Sequence, residues 1–157
     1  MPKNFYLCIV KKTISFNNTP AVNLTQQALS AWVYECVEER GGKIKRLVIN
    51  FITEDEMLNL NQKYLKHDTH TDILTFCYND QSRIESEIFI CFDRARENAK
   101  AHSETIENEI LRLISHGLLH NFGLNDSTKA LRETMTKEEN SLMRMFHVKH
   151  TSSEKAL

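Results

Sequence analysis

The hydrophobic positions of this chain predict strands mostly early and helices mostly late. Phe5 to Val10 is a short apolar run with strand character. Leu24, Ala28, Ala31, Trp32, Cys36 and Val37 recur at helical spacing, with Asn23 as the expected N-cap and Gln26 three residues on. Gly41-Gly42 stops that helix. Arg46 to Ile52 predicts an apolar strand, and Thr53-Glu54-Asp55-Glu56 has the form of a capping box opening a helix to about Tyr64. His67 to Thr71 reads as a loop. Ile73 to Tyr78 and Glu87 to Phe92 read as two strands joined by the polar Asn79-Asp80-Gln81-Ser82, which suggests a hairpin or near neighbours in a sheet. Asp93 is placed to cap a helix through Ala101. Further helices are expected from about Thr105 to Asn121, stopping at Gly123, and from about Ala130 to Phe146, before a polar, frayed tail. The expectation is an α+β fold: a mixed sheet of about four strands with helices packed on it.

Length and composition narrow this picture. The 157 residues suit one domain, here expected to span 1–157 with a polar tail from about 148. Lys plus Arg is 20 against 21 for Asp plus Glu, so global charge does not mark a nucleic-acid binder, and any phosphate affinity needs a local patch. Cys8, Cys36, Cys77 and Cys91 form no C-x-x-C pair. They read as reduced, small core residues, which suits a cytoplasmic location and gives no disulfide-linked partner. Phe5–Val10 is too short for a signal-peptide core or a membrane span, so no membrane association is expected.

The chemistry concentrates in His116-Gly117-Leu118-Leu119-His120-Asn121-Phe122-Gly123-Leu124-Asn125-Asp126. Histidines at i and i+4 share one helix face, the spacing that lets one rigid element give zinc two imidazoles. Gly123 can take the left-handed conformation that ends the helix and returns the chain, bringing Asp126 as a third donor. An i, i+4 histidine pair alone is often coincidence; the glycine and the returning acidic residue raise its weight. Three protein ligands for one zinc ion leave a position for water, as in catalytic rather than structural sites. Gly117 stands where H-E-x-x-H peptidases carry their glutamate base, which argues against peptide hydrolysis by that route, and the general base stays unassigned.

With these residues in view the sequence resembles the YbeY family of bacterial single-strand-specific endoribonucleases. His116, Gly117, Leu119, His120 and Gly123 match its HGxLHxxGxDH signature, while Asn125 and Asp126 stand where the family usually has Asp and His. Leu60-Asn61 and Tyr64 resemble its LNxxYR, Thr71 to Phe76 its T-D-V-L-S-F, Glu87 to Ile90 its G-D-I-x-I, and Met135 and Glu139 a downstream methionine and glutamate. The resemblance implies metzincin-like local geometry, zinc as cofactor, and single-stranded ribosomal RNA as substrate. It also implies a part in 16S 3′-end maturation and ribosome quality control, with the ribosome or its small subunit as partner. The family's arginine is Leu65 here; Arg112, one turn before His116, is a candidate substitute, though pairing with Glu109 is the plainer expectation. Met135 resembles a methionine beneath zinc or is a core residue. Lys43, Lys45, Arg46, Arg94 and Arg96 form an RNA-bearing patch or are scattered solvated charge. His67, His70, His147 and His150 read as surface residues. Two alternatives stay open: a zinc hydrolase of another substrate class, and a non-catalytic, metal-stabilised ribosome-assembly factor.

Overall fold

The computed structural model describes residues 13–65, 71–79 and 83–155. Four strands form one mixed sheet, β1 (Ile14–Asn17), β2 (Lys43–Ile52), β3 (Ile73–Cys77) and β4 (Arg83–Cys91), in the order β1-β2-β4-β3. β1, β2 and β4 run parallel, and β3 closes the hairpin with β4 antiparallel at the edge. Five helices accompany them: α1 (Gln26–Glu39), α2 (Glu54–Leu60), α3 (Phe92–Ala101), α4 (Ile106–Asn121) and α5 (Lys129–Lys155). The α+β expectation holds.

The core follows from the alternation along the strands. Leu47, Ile49 and Phe51 of β2 and Ile84, Ile88 and Ile90 of β4 are buried against Trp32, Val33, Ile114 and Leu118 of the helices. A second cluster, Met57, Leu74 and Cys91, packs with Phe76 and Phe89. α4 is buried on most sides, and the one face that is only partly buried carries Asn108, Arg112, His116 and His120. The Trp32 indole N–H donates to the Leu142 carbonyl at 2.8 Å and its ring meets Phe146 edge-on, which joins α1 to α5.

Several boundaries differ from expectation. Thr25, not Asn23, caps α1, accepting the Ala28 N–H at 3.1 Å; the Asn23 N–H goes instead to Glu107. Leu29 and Val33 are buried and Ala31 is exposed, so the stripe is rotated from the one expected. The Thr53–Glu56 capping box forms, and α2 gives way to a π-turn at Asn61–Leu65. Cys91 is the N-cap of α3, and Asp93 lies inside its first turn. β4 starts earlier than Glu87 because Arg83 is exposed and Glu85 partly so, positions that periodicity alone discounts. α5 continues past Phe146 as helix rather than fraying at His147. There His150 stacks on Phe146 at 4.0 Å and bonds its carbonyl, and Lys149 meets Glu35. The Phe5–Val10 strand, Cys8 and the loop histidines His67 and His70 lie outside the described residues.

Candidate metal centre

α4 carries the first two candidate ligands, and its ends explain their position. Thr105 caps it by accepting the Asn108 N–H at 3.1 Å, with Glu107 and Glu109 favourably placed in the first turn. At the other end Gly123 takes φ +89°. Its N–H donates to the His120 carbonyl at 3.0 Å and the Leu124 N–H to the Leu119 carbonyl at 3.1 Å, the paired bonds of a Schellman turn. The turn reverses the chain toward the helix face that bears the histidines. Asn125 Oδ1 then accepts the Ser127 N–H at 2.8 Å, which shapes the chain on either side of Asp126.

The three predicted residues meet. His116 Nε2 and His120 Nε2 face one another at 2.9 Å, and Asp126 oxygens lie 3.5 Å from the first and 3.9 Å from the second. Among the described residues they form the one group whose ligand atoms all lie within 4.8 Å of each other. The far side of each ring is held. His120 Nδ1 donates to the Leu124 carbonyl at 2.9 Å, and His116 Nδ1 to the buried Glu139 carboxylate of α5, also at 2.9 Å. A carbonyl and a carboxylate oxygen accept, so each Nδ1 carries a hydrogen, and in the neutral imidazoles the lone pair is left on Nε2. Two lone pairs and a carboxylate pointed at one another repel in the absence of a cation. The donor set therefore fits a divalent metal ion, with the two imidazoles oriented as metal-bound histidines are.

Position 117, where H-E-x-x-H peptidases carry their glutamate, is a glycine. A Cβ on Gly117 would sit 2.8 Å from Ile88 Cδ1, so a side chain here points into the sheet rather than toward the ligands. The glycine lets α4 pack closely on the strands.

The triad opens into a cleft of about 580 Å³ walled by Ile73, Thr75 and Cys77 of β3 and by Arg112 of α4. Arg112 forks onto Glu109, with Nε at 2.9 Å, and lies 3.8 Å from Glu139 and 3.6 Å from Asp72. The bond to Glu109 raises its pKa further, against burial, so it stays cationic. The plainer expectation for Arg112 is met, and the residue also braces the carboxylate that orients His116. Met135 is buried in the main core. The proposed basic patch does not assemble. Lys45 and Arg46 pair with Glu85 and Glu87 near the start of β2, whereas Arg94 and Arg96 pair with Glu54 and Asp93 beyond the end of β4. Cys36 and Cys91 are buried as expected, but Cys77 is exposed. Spacing gave no sign of the Leu124 carbonyl or of the β3 wall; Glu139 stood out only through family resemblance.

Comparison with known proteins gives the chain's family and fold. The family model described as Endoribonuclease YbeY matches residues 11–147. A Parabacteroides distasonis protein with that name is 36% identical over 121 residues, covering 77% of this chain and 84% of the relative. A Flavobacterium johnsoniae counterpart is 33% identical over 139 residues, covering 86% and 98%. The solution structure of a Thermotoga maritima protein has the same fold, with a TM-score of 0.67 at 24% identity over 89% of this chain and 93% of that one.

Proposed function

This chain belongs to the endoribonuclease YbeY family, and from that premise we propose that it is a zinc-dependent, single-strand-specific endoribonuclease. Its substrate is ribosomal RNA, with the 3′ end of 16S rRNA on the small subunit, in the cytoplasm, as the working target. No helix among the described residues is long and apolar enough to cross a membrane. The observation that carries the reading is the pair of inward-facing Nε2 lone pairs beside Asp126.

His116, His120 and Asp126 would hold one zinc ion; their nitrogen and oxygen donors suit it. When bound, the ion supplies Lewis-acid polarisation of the phosphodiester and activation of water. The chain's own residues do the positioning. Glu139 and the Leu124 carbonyl keep each imidazole in the Nδ1–H tautomer, so the ligand atoms are aimed before substrate arrives. Gly117 lets α4, and the ligands it carries, pack closely on the sheet at Ile88. Arg112 keeps a fixed cation in the cleft wall. Incubation of the purified protein with single-stranded RNA, beside a His116→Ala control, tests the reading. Cleavage by the wild type and its loss in the control are expected; equal cleavage by both overturns it.

A further inference from the structure

β3 is an edge strand, and its pairing with β4 shows which of its backbone groups the ladder uses. The Asp72 carbonyl accepts the Cys91 N–H at 2.9 Å, and the Tyr78 N–H donates to the Glu85 carbonyl at 2.7 Å. Both pairs continue the register that sets Leu74 opposite Phe89 and Phe76 opposite Glu87. Bonded and unbonded pairs alternate along an antiparallel ladder. Asp72, Leu74, Phe76 and Tyr78 therefore turn their N–H and C=O groups toward β4. Ile73, Thr75 and Cys77 turn theirs outward, where no strand among the described residues pairs with them. These three residues, together with Thr71, Asp72 and Leu74, line the cleft that contains His116, His120 and Asp126.

We propose that the open edge of β3 is the track on which single-stranded RNA lies. Base edges bond the outward backbone groups of Ile73, Thr75 and Cys77, and the phosphodiester chain passes the triad. The proposal rests on the endoribonuclease reading above. Successive outward residues repeat every ~6.8 Å, comparable to the step of an extended nucleotide. Thr75 and Cys77 each offer one donor and one acceptor, and Ile73 offers its donor while its carbonyl accepts the Thr71 hydroxyl at 3.3 Å; donors and acceptors together are the combination that exposed base edges match. In a duplex those edges are already paired, so the track admits single strands and turns duplexes away. A peptide could add to the same edge. The occupant is RNA because Gly117 supplies no carboxylate to serve as a peptidase base and because the curated relatives are named endoribonucleases.

Hydrogen exchange on the metal-loaded full chain tests this, with a short phosphorothioate-linked single-stranded oligoribonucleotide as the probe. In the free protein the amides of Ile73, Thr75 and Cys77 exchange faster than those of Leu74 and Phe76, and the probe slows them at least about tenfold. A probe that binds without slowing them overturns the proposal. So does equal slowing by duplex RNA, or slowing by an extended peptide and not by RNA. Thr75→Pro removes an outward N–H that the ladder does not use, a change edge strands accept. It raises KM for single-stranded RNA about three- to tenfold more than Thr75→Val does. Equal KM values in a Thr75→Pro protein that melts like wild type overturn the proposal, and if that variant fails to fold, the exchange experiment on wild type decides. If the wild type neither binds nor cuts any RNA, the endoribonuclease reading itself falls, and this proposal with it.

Discussion

His116 is the least exposed of the three candidate ligands and Asp126 the most, with side-chain exposures of 16% and 43%. The carboxylate therefore closes the group from the solvent side, and its removal leaves the two imidazoles in place. Asp126→Ala is expected to weaken zinc binding without unfolding the protein, read by calorimetric titration with zinc; equal affinity and stoichiometry in variant and wild type would remove Asp126 from the ligand set. Glu139 works one step further back. Glu139→Gln keeps the shape but not the charge facing His116 and Arg112, and a loss of about tenfold in metal affinity is expected in the same titration. The two residues were not equally legible. Asp126 announces itself by its distance from a glycine turn. Glu139 lies 23 positions from His116, and only the packing of α5 on α4 reveals what it holds.

At the scale of elements, helix ends organise the site more than helix middles do. The same turn that ends α4 supplies the carbonyl that orients His120 and sends the chain back toward His116. Gly123→Ala forces a side chain into the left-handed region at a cost of about 1–2 kcal/mol. Because the ligands hang from that turn, metal affinity is expected to fall along with the melting temperature; a variant that loses stability but binds zinc like wild type would separate the turn from the site. Such ends were readable where one residue type carries the signal, as at Gly41, Gly123 and the Thr53 box. They were misread where two candidates compete. Asn23 and Thr25 both suit an N-cap, and contact with Glu107, remote in sequence, takes Asn23 for another role. β1 escaped notice because four residues are too few to show a period.

Over the whole molecule the site and the core share the same helices. α4 brings two ligands, α5 brings Glu139, and α5 is docked on α1 through Trp32 and Phe146. A metal that joins these parts binds the folded state alone, so chelation is expected to lower the melting temperature; saturating metal at about a hundred times its Kd adds about 2.7 kcal/mol. Alkali attacks the same core. Burial first, then Glu39 and Glu35, push the Cys36 thiol up from 9.0 to about 12. The unfolded chain therefore releases its proton first, and stability is full below pH 9.0 and falls as pH rises toward about 12, by about 1.4 kcal/mol per unit. Urea melts at about pH 8 and about pH 10 check this, and Cys36→Ala should flatten the difference. Trp32 adds a consequence of another kind. It is the chain's single tryptophan, and its indole is buried at the seam between α1 and α5. All tryptophan fluorescence thus comes from one address, and a red shift of its emission reports water reaching that seam. The same light can follow the opening of that seam in thermal melts with and without metal, with no label attached.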